Sequence, residues 1–278
     1  MKTSVSMYSL NQYIRNHGWG IYEFIDYAKE IGADGVELLD VYWTNKDEEI
    51  DGVLAYLKTK NLPVSAYDVS NNFVKPTAAE RKTEVDRVIE GIYTAKKLGT
   101  NIVRVFCGDL MDGITYDEGR AWIIEGFKAC LAIAEQEQVY LAIENHGLFA
   151  GKAEQVKSMI DEIDSDFLKS TLDTGNFLLV QEDPYLSTKR LKSDVVHVHF
   201  KDFRKVETDF QGQSFKALNG DRYLGTVAGE GMINLENIIS ELKSVQYDGW
   251  YSIEYEGHED SKECVKRSIE KLVSLAKG

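Results

Sequence analysis

The chain is short of cysteine, of positive charge and of long apolar runs, and each shortage removes a class of function. Its three cysteines, Cys107, Cys130 and Cys264, lie far apart. That spacing excludes a CxxC site and offers no disulfide framework, so they read as small core hydrophobes. Lys and Arg together number 32 against 46 Asp and Glu, for a formal charge of −14. Such a surface repels phosphate backbones, and no local basic groove is visible, so nucleic acid is not an expected partner. No window is apolar for long enough to cross a bilayer, and no membrane association is expected. The start, Met1-Lys2-Thr3-Ser4-Val5-Ser6-Met7, runs directly into a strand-like segment without the apolar core and cleavage site of a secretion signal. A cytoplasmic location is the expectation. The phosphate-binding patterns GxGxxG and GxxxxGK[ST] are absent as well, and there is no internal repeat or low-complexity tract.

What is present is the composition of an ordinary globular protein, 43% hydrophobic and 28% charged over 278 residues. That length suits a single large α/β domain, 1–278. Short β-branched or aromatic runs alternate with longer segments of helical period, which predicts a parallel sheet covered by helices. Eight strands are expected: Ser4 to Tyr8, Gly35 to Leu39, Pro63 to Tyr67, Ile102 to Phe106, Tyr140 to Glu144, Ser170 to Asp173, Val195 to Phe200 and Trp250 to Glu254. Helical faces such as Val88, Ile92, Ala95 and Leu98, or Ile123, Phe127, Leu131 and Ala134, would pack against them. Gly32, Gly99 and Gly249 mark expected stops before the second, fourth and eighth strands. Eight β/α units without a composition break predict a closed (β/α)8 TIM barrel rather than an open doubly wound sheet. One connection differs: residues 201–233, after strand seven, lack helical period and contain Gly212, Gly220, Gly225, Gly229 and Gly231. A lid or substrate loop is expected there.

In such a barrel the C-terminal strand ends converge on one mouth, where active sites sit. Glu144, Asp173, His199 and Glu254 end strands five to eight. Taken singly, each acid could be a helix N-cap or a surface group. Together they form a set of carboxylates and imidazole suited to Mn²⁺, Mg²⁺, Co²⁺ or Zn²⁺, and the lack of thiolates argues against a purely structural zinc. Without a cation or basic groups to compensate, three carboxylates this close would repel one another strongly.

The runs Ile143-Glu144-Asn145-His146, Leu172-Asp173-Thr174-Gly175-Asn176, His197-Val198-His199-Phe200-Lys201-Asp202, Gly229-Glu230-Gly231 and Ile253-Glu254-Tyr255-Glu256 resemble those of the sugar phosphate isomerase/epimerase family. These are the xylose-isomerase-like TIM barrels that include ketose 3-epimerases and inosose-processing enzymes. The resemblance spans nearly the whole chain. It implies one divalent ion, manganese first, held by Glu144, Asp173, His199 and Glu254, with Glu144 and Glu254 also exchanging protons with a carbohydrate substrate. A metal that polarises a carbonyl acidifies the adjacent C–H, and carboxylates on opposite faces can then remove and return the proton. Asn176 falls where ketose 3-epimerases usually have a histidine, a departure from that subgroup. Similar barrels often pair, so a homodimer is also an expectation.

Around this centre His146, Asn176, Lys201 and Arg204 are candidate substrate contacts, with Tyr8 and Arg104 from the first half of the chain. His146 and the two loop cations have bland alternatives as a rim histidine and solvated charges. Glu230 reads as loop architecture or as support for the ligands, His197 as a satisfied interior histidine, and Glu37 as a hydroxyl contact or an internal ion pair. The leading expected activity is a metal-dependent isomerase or epimerase of a monosaccharide, sugar phosphate or cyclitol. A dehydratase or lyase acting on a keto sugar or keto-cyclitol is the alternative, ahead of an apurinic endonuclease or a non-catalytic sugar-binding barrel.

Overall fold

The β-branched runs do become strands, and the strands close on themselves. The computed structural model of the chain describes residues 1–207, 209–212 and 214–277. Thr208 and Gln213, inside the expected 201–233 loop, and Gly278, the last residue of the expected domain, lie outside the described residues. The barrel strands are β1 (Lys2–Ser6), β2 (Gly35–Leu39), β3 (Val64–Asp68), β4 (Ile102–Val105), β5 (Tyr140–Glu144), β6 (Leu168–Asp173) and β7 (Val195–Phe200). The insertion after β7 contributes β8 (Asp202–Val206), β9 (Phe215–Lys216) and β10 (Arg222–Thr226), and β11 (Trp250–Ile253) completes the barrel. The barrel order is β1-β11-β7-β6-β5-β4-β3-β2, and its pairings are parallel. The fold is a (β/α)8 TIM barrel.

Helices α1 (Asn11–His17), α2 (Ile21–Glu30), α3 (Lys46–Lys60), α4 (Ala78–Leu98), α5 (Tyr116–Glu137), α6 (Ala153–Ile163), α7 (Asn176–Leu179), α8 (Pro184–Leu191), α9 (Leu235–Lys243) and α10 (Ser261–Lys277) surround it. The two longest, α4 and α5, start at reciprocal caps: Thr77 with Glu80, and Thr115 with Glu118. In each, the hydroxyl accepts a backbone N–H and the glutamate accepts the threonine N–H, satisfying donors that a helix start otherwise leaves open. Val88, Ile92, Ala95 and Leu98 of α4 and Ile123, Phe127, Leu131 and Ala134 of α5 are buried in the main core. Gly99 ends α4 in the left-handed region at φ 81°, as its place in the sequence predicts. Before β11 that conformation belongs to Gln246 at φ 59°. Gly249 serves instead as space, since a Cβ there would meet the Tyr247 ring at 2.4 Å. All three cysteines are free and buried. Among the described residues no helix is long and apolar enough to cross a membrane.

The 201–233 segment is more ordered than the sequence predicts. It forms a small antiparallel sheet of order β8-β10-β9, with Phe203, Ala217 and Tyr223 as its own buried cluster. The Asp202 carboxylate pins its return, accepting N–H bonds from Phe203, Gly229, Gly231 and Ile233 at 2.8 to 3.2 Å. Gly231 is required by this close wrap, because a Cβ would lie 2.2 Å from Asp202 Oδ1.

Candidate metal centre

Parallel register carries the four expected ligands to one level. Asp173 on β6 pairs with His199 on β7, Ser252 on β11 pairs with the same His199, and Glu254 follows β11 directly, its N–H donating to Phe200 O at 3.2 Å. Ligand atoms of Glu144, Asp173, His199 and Glu254 lie within 4.8 Å of one another, and all four residues are buried. That spread is close to twice a metal–ligand distance of about 2.0–2.2 Å, so one ion could reach all four.

Each side chain is aimed by a separate contact. Asp173 Oδ1 accepts the N–H groups of Gly175 and Asn176, both at 2.8 Å, which leaves Oδ2 toward the centre. Asn145 locks β5 to β6 by bonding both the N–H and the carbonyl of Asp173. Asn176 Nδ2 donates to Glu144 Oε1 at 3.1 Å, turning Oε2 inward. His199 places Nδ1 at 3.5 Å from Glu144 Oε2 and 3.6 Å from Glu254 Oε1. Glu144 Oε2, Asp173 Oδ2 and His199 Nδ1 are all buried without a hydrogen-bond partner. The two oxygens meet only ion-pair contacts, Glu144 Oε2 with Arg104 at 3.2 Å and Asp173 Oδ2 with Lys201 at 3.0 Å, and a divalent cation fits what the three share: inward-facing lone pairs in one small volume.

Lys201 stands inside this cluster, not at its edge. Its ammonium lies 2.7 Å from Glu254 Oε2, 3.0 Å from Asp173 Oδ2 and 3.3 Å from Glu256 Oε2. On the other side Arg104 lies 3.1 Å from Asp68 Oδ2 and 3.2 Å from Glu144 Oε2. The acids therefore titrate apart. Burial and then Glu254 push Glu144 up to about 7, while at Glu254 the attraction of Lys201 and His199 outweighs burial and holds it down at about 2. Burial raises Asp173 against the pull of Lys201. A bound divalent ion would add positive charge and draw these carboxylates down.

The centre opens into a cavity of about 600 Å³ whose wall includes Tyr8, Tyr42, Arg104, Phe106, Glu144, His146, Lys201, Glu254 and Glu256. That volume suits a small molecule of monosaccharide size. His146 tilts against Phe106 with ring centroids 4.8 Å apart. Its ring is reachable from the cavity yet surrounded by the wall; desolvation first, then Lys201 and Arg104, lower it to about 4, so it is neutral. Tyr8 lies on a 3-10 turn just past β1 rather than within the strand, and it still reaches the cavity.

Three expected residues are placed elsewhere. Asn176, expected to touch substrate, is buried and off the cavity wall, its amide donating to Glu144 and accepting from Lys201. Arg204 is exposed on β8, opposite Leu224, and is not on the cavity wall; strand alternation puts Phe203 in the small core and Arg204 outside. Glu230 does not support the ligands. Its neighbours' backbone wraps Asp202, and its side chain turns out to pair with Arg267 and Lys271 of α10. Glu37 has a larger part than the sequence conveys: fully buried, it bonds both His197 and His199. Glu256 also joins the wall, through Lys201. The His-x-His alternation on β7 signals two inward histidines in adjacent layers, but not which acid meets them.

The comparisons agree with this architecture. A 3-dehydroshikimate dehydratase of Bacillus anthracis is 23% identical over 259 residues, covering 91% of each chain. An inosose dehydratase of Lacticaseibacillus casei is 34% identical over 115 residues, but the match spans only 38% of each chain. Among solved structures, the IolI protein with a bound zinc atom superimposes with a TM-score of 0.80 at 16% identity, covering 100% of this chain and 98% of the other. The 3-keto-D-glucoside 4-epimerase YcjR of E. coli gives 0.77 at 15% identity over 99% of each. A family model described as xylose isomerase-like TIM barrel matches residues 25–275, and the chain belongs to that family.

Proposed function

We propose that this chain is a divalent-metal-dependent enzyme that removes a proton beside the carbonyl of a keto sugar or keto-cyclitol and then releases a β-hydroxyl as water. One observation carries the choice of dehydration over the epimerisation favoured by the sequence: each candidate acid has one oxygen held by a neighbouring side chain and the other turned into the ligand cluster rather than to a substrate. Glu254 Oε2 is held by Lys201, and Glu144 Oε1 by Asn176. Their remaining oxygens face His199 and the other ligands. Proton exchange on two faces of a planar intermediate needs two free bases. His146, neutral and open to the cavity, is one free base.

When bound, the ion supplies Lewis-acid polarisation of the substrate carbonyl and its neighbouring oxygen. Glu144, Asp173, His199 and Glu254 would hold it. An imidazole nitrogen of His146 takes the α-proton, the C–H electrons form the new double bond, and the β C–O bond breaks. The same imidazolium returns its proton to the departing hydroxyl, so one base suffices and water is the by-product. Lys201 keeps Asp173, Glu254 and Glu256 from repelling one another, while Tyr8 and Phe106 offer surfaces to the substrate's C–H face. The near full-length likeness to a dehydratase supports this reading. Epimerisation or isomerisation by Glu144 and Glu254 is the second reading, and it is favoured by the presence of both on the cavity wall.

Incubation of the Mn²⁺-supplemented protein in deuterated water with 3-keto sugars, keto-cyclitols and 3-dehydroshikimate separates the two by mass. Loss of one water from a substrate, reduced about 10²–10⁴-fold in His146→Asn, is expected. Deuterium uptake with no loss of water would replace dehydration by the second reading. Neither change, with any divalent ion, would defeat both.

A further inference from the structure

Behind the ligands lies a group that none of the proposed chemistry uses. Glu37 on β2 is fully buried and reaches across the barrel interior, since β1 and β11 separate β2 from β7. Its Oε1 lies 2.7 Å from His199 Nε2 and its Oε2 lies 3.1 Å from His197 Nε2. Both oxygens are therefore occupied, one by each histidine, and the two rings stand nearly perpendicular, at 84°. Glu37, His197 and His199 could also be counted as a set of metal donors, but with its oxygens on the two imidazoles Glu37 acts as their acceptor.

From this geometry we infer that Glu37 is the positioning residue that fixes the tautomer of His199, keeping the proton on Nε2 and the Nδ1 lone pair toward Glu144 and Glu254. The inference rests on the proposed metal site. A carboxylate cannot donate, so an imidazole facing it at 2.7 Å must present N–H. In the neutral imidazole that ligates a metal, a proton on Nε2 leaves Nδ1 as the acceptor, and Nδ1 is the atom that has no hydrogen-bond partner. The opposite tautomer would set a nitrogen lone pair against Oε1 and a proton against the ion. An acid orienting a ligating histidine from behind in this way is a general device for metal affinity. His197, one layer deeper, occupies the second oxygen and so keeps the carboxylate from rotating away from His199.

The test is Mn²⁺ titration calorimetry on the full chain, with circular dichroism to confirm folding. Glu37→Leu is expected to weaken Mn²⁺ binding by about 10–100-fold. Glu37→Gln, which restores one acceptor, should recover much of that loss, and His197→Gln, which leaves the Glu37 to His199 bond in place, should bind Mn²⁺ much as wild type does. Wild-type affinity in a folded Glu37→Leu protein would overturn the inference. So would an equal loss in His197→Gln, because Glu37 would then act only as part of a buried cluster. Should Glu37→Leu fail to fold, nitrogen-15 NMR of the Zn²⁺-loaded wild type decides, and with five histidines in the chain the assignment is tractable. A proton on His199 Nε2 is expected; a proton on Nδ1 would overturn the inference. Wild-type protein that takes up neither ion would remove the metal site together with this inference, whereas normal uptake with an indifferent Glu37 would remove the inference alone.

Discussion

The two halves of the barrel hold their buried charges differently. In the first half, each buried ion has a partner of opposite character: Glu37 meets two imidazoles, and Asp68 meets Arg104. In the second half, Glu144, Asp173, Glu254 and Glu256 gather around one ammonium, that of Lys201, with Arg104 reaching over to Glu144. The first half is close to balanced and the second carries surplus negative charge. The lesson is a division of labour. The N-terminal strands hold paired charges, and the C-terminal strands leave a surplus of negative charge that a divalent cation would offset.

Removing acids from the surplus half should have the largest effect on chemistry. Glu144→Gln and Glu254→Gln each remove a ligand of the ion and are expected to lower turnover by more than the roughly 10–100-fold that loss of a ligand's supporting partner costs, read as initial rates of water release. Full activity in either would place the reaction elsewhere in the cavity. Next comes the balance itself. Lys201→Met leaves three carboxylates facing one another and should cost about 3–5 kcal/mol of stability without metal. Added Mn²⁺ should restore a good part of this, visible as a larger metal-induced rise in Tm than in wild type. Arg104→Met should cost a similar amount by stranding Asp68, and because Asp68 is not a ligand, Mn²⁺ should rescue it less. Equal rescue of the two variants would erase the proposed difference between the halves.

Chelation gives a smaller, reversible effect. For wild type at a free ion concentration about 100 times Kd, binding contributes about 2.7 kcal/mol, so treatment with a chelator should lower Tm by the corresponding amount. The smallest expected effect is outside the barrel. Glu230→Ala removes a partly exposed pair with Arg267 and should change stability by no more than about 1 kcal/mol, with KM unchanged. A marked rise in KM would return Glu230 to the site.

Much of this was legible in the sequence, for physical reasons. Each barrel strand is a short run bounded by turn residues, and a parallel barrel sends its C-terminal strand ends to one mouth, so Glu144, Asp173, His199 and Glu254 could be placed together without coordinates. What could not be read is the cross-lumen partner. Glu37 and His199 are 162 positions apart on strands that do not pair, and only closure of the barrel brings them face to face. Lys201 reads in the sequence as a substrate contact or a solvated loop charge because it follows a strand end, yet Thr174 ties down its backbone N–H and carbonyl, and the ammonium folds back among the ligands. The glycine-rich run after β7 carries no helical period, and its pairing into β8, β9 and β10 goes with Asp202 collecting four backbone donors, a contact between residues up to 31 positions apart.

The most direct test of the central claim is the stoichiometry of Mn²⁺ uptake by metal-stripped protein, measured by calorimetry on wild type and Asp173→Asn. Asp173 is chosen because it would touch the ion and moves a proton in neither reading of the reaction. One ion per wild-type chain, and binding lost or severely weakened in the folded variant, is the predicted result. No uptake by wild type, or uptake that Asp173→Asn leaves unchanged, would contradict the account.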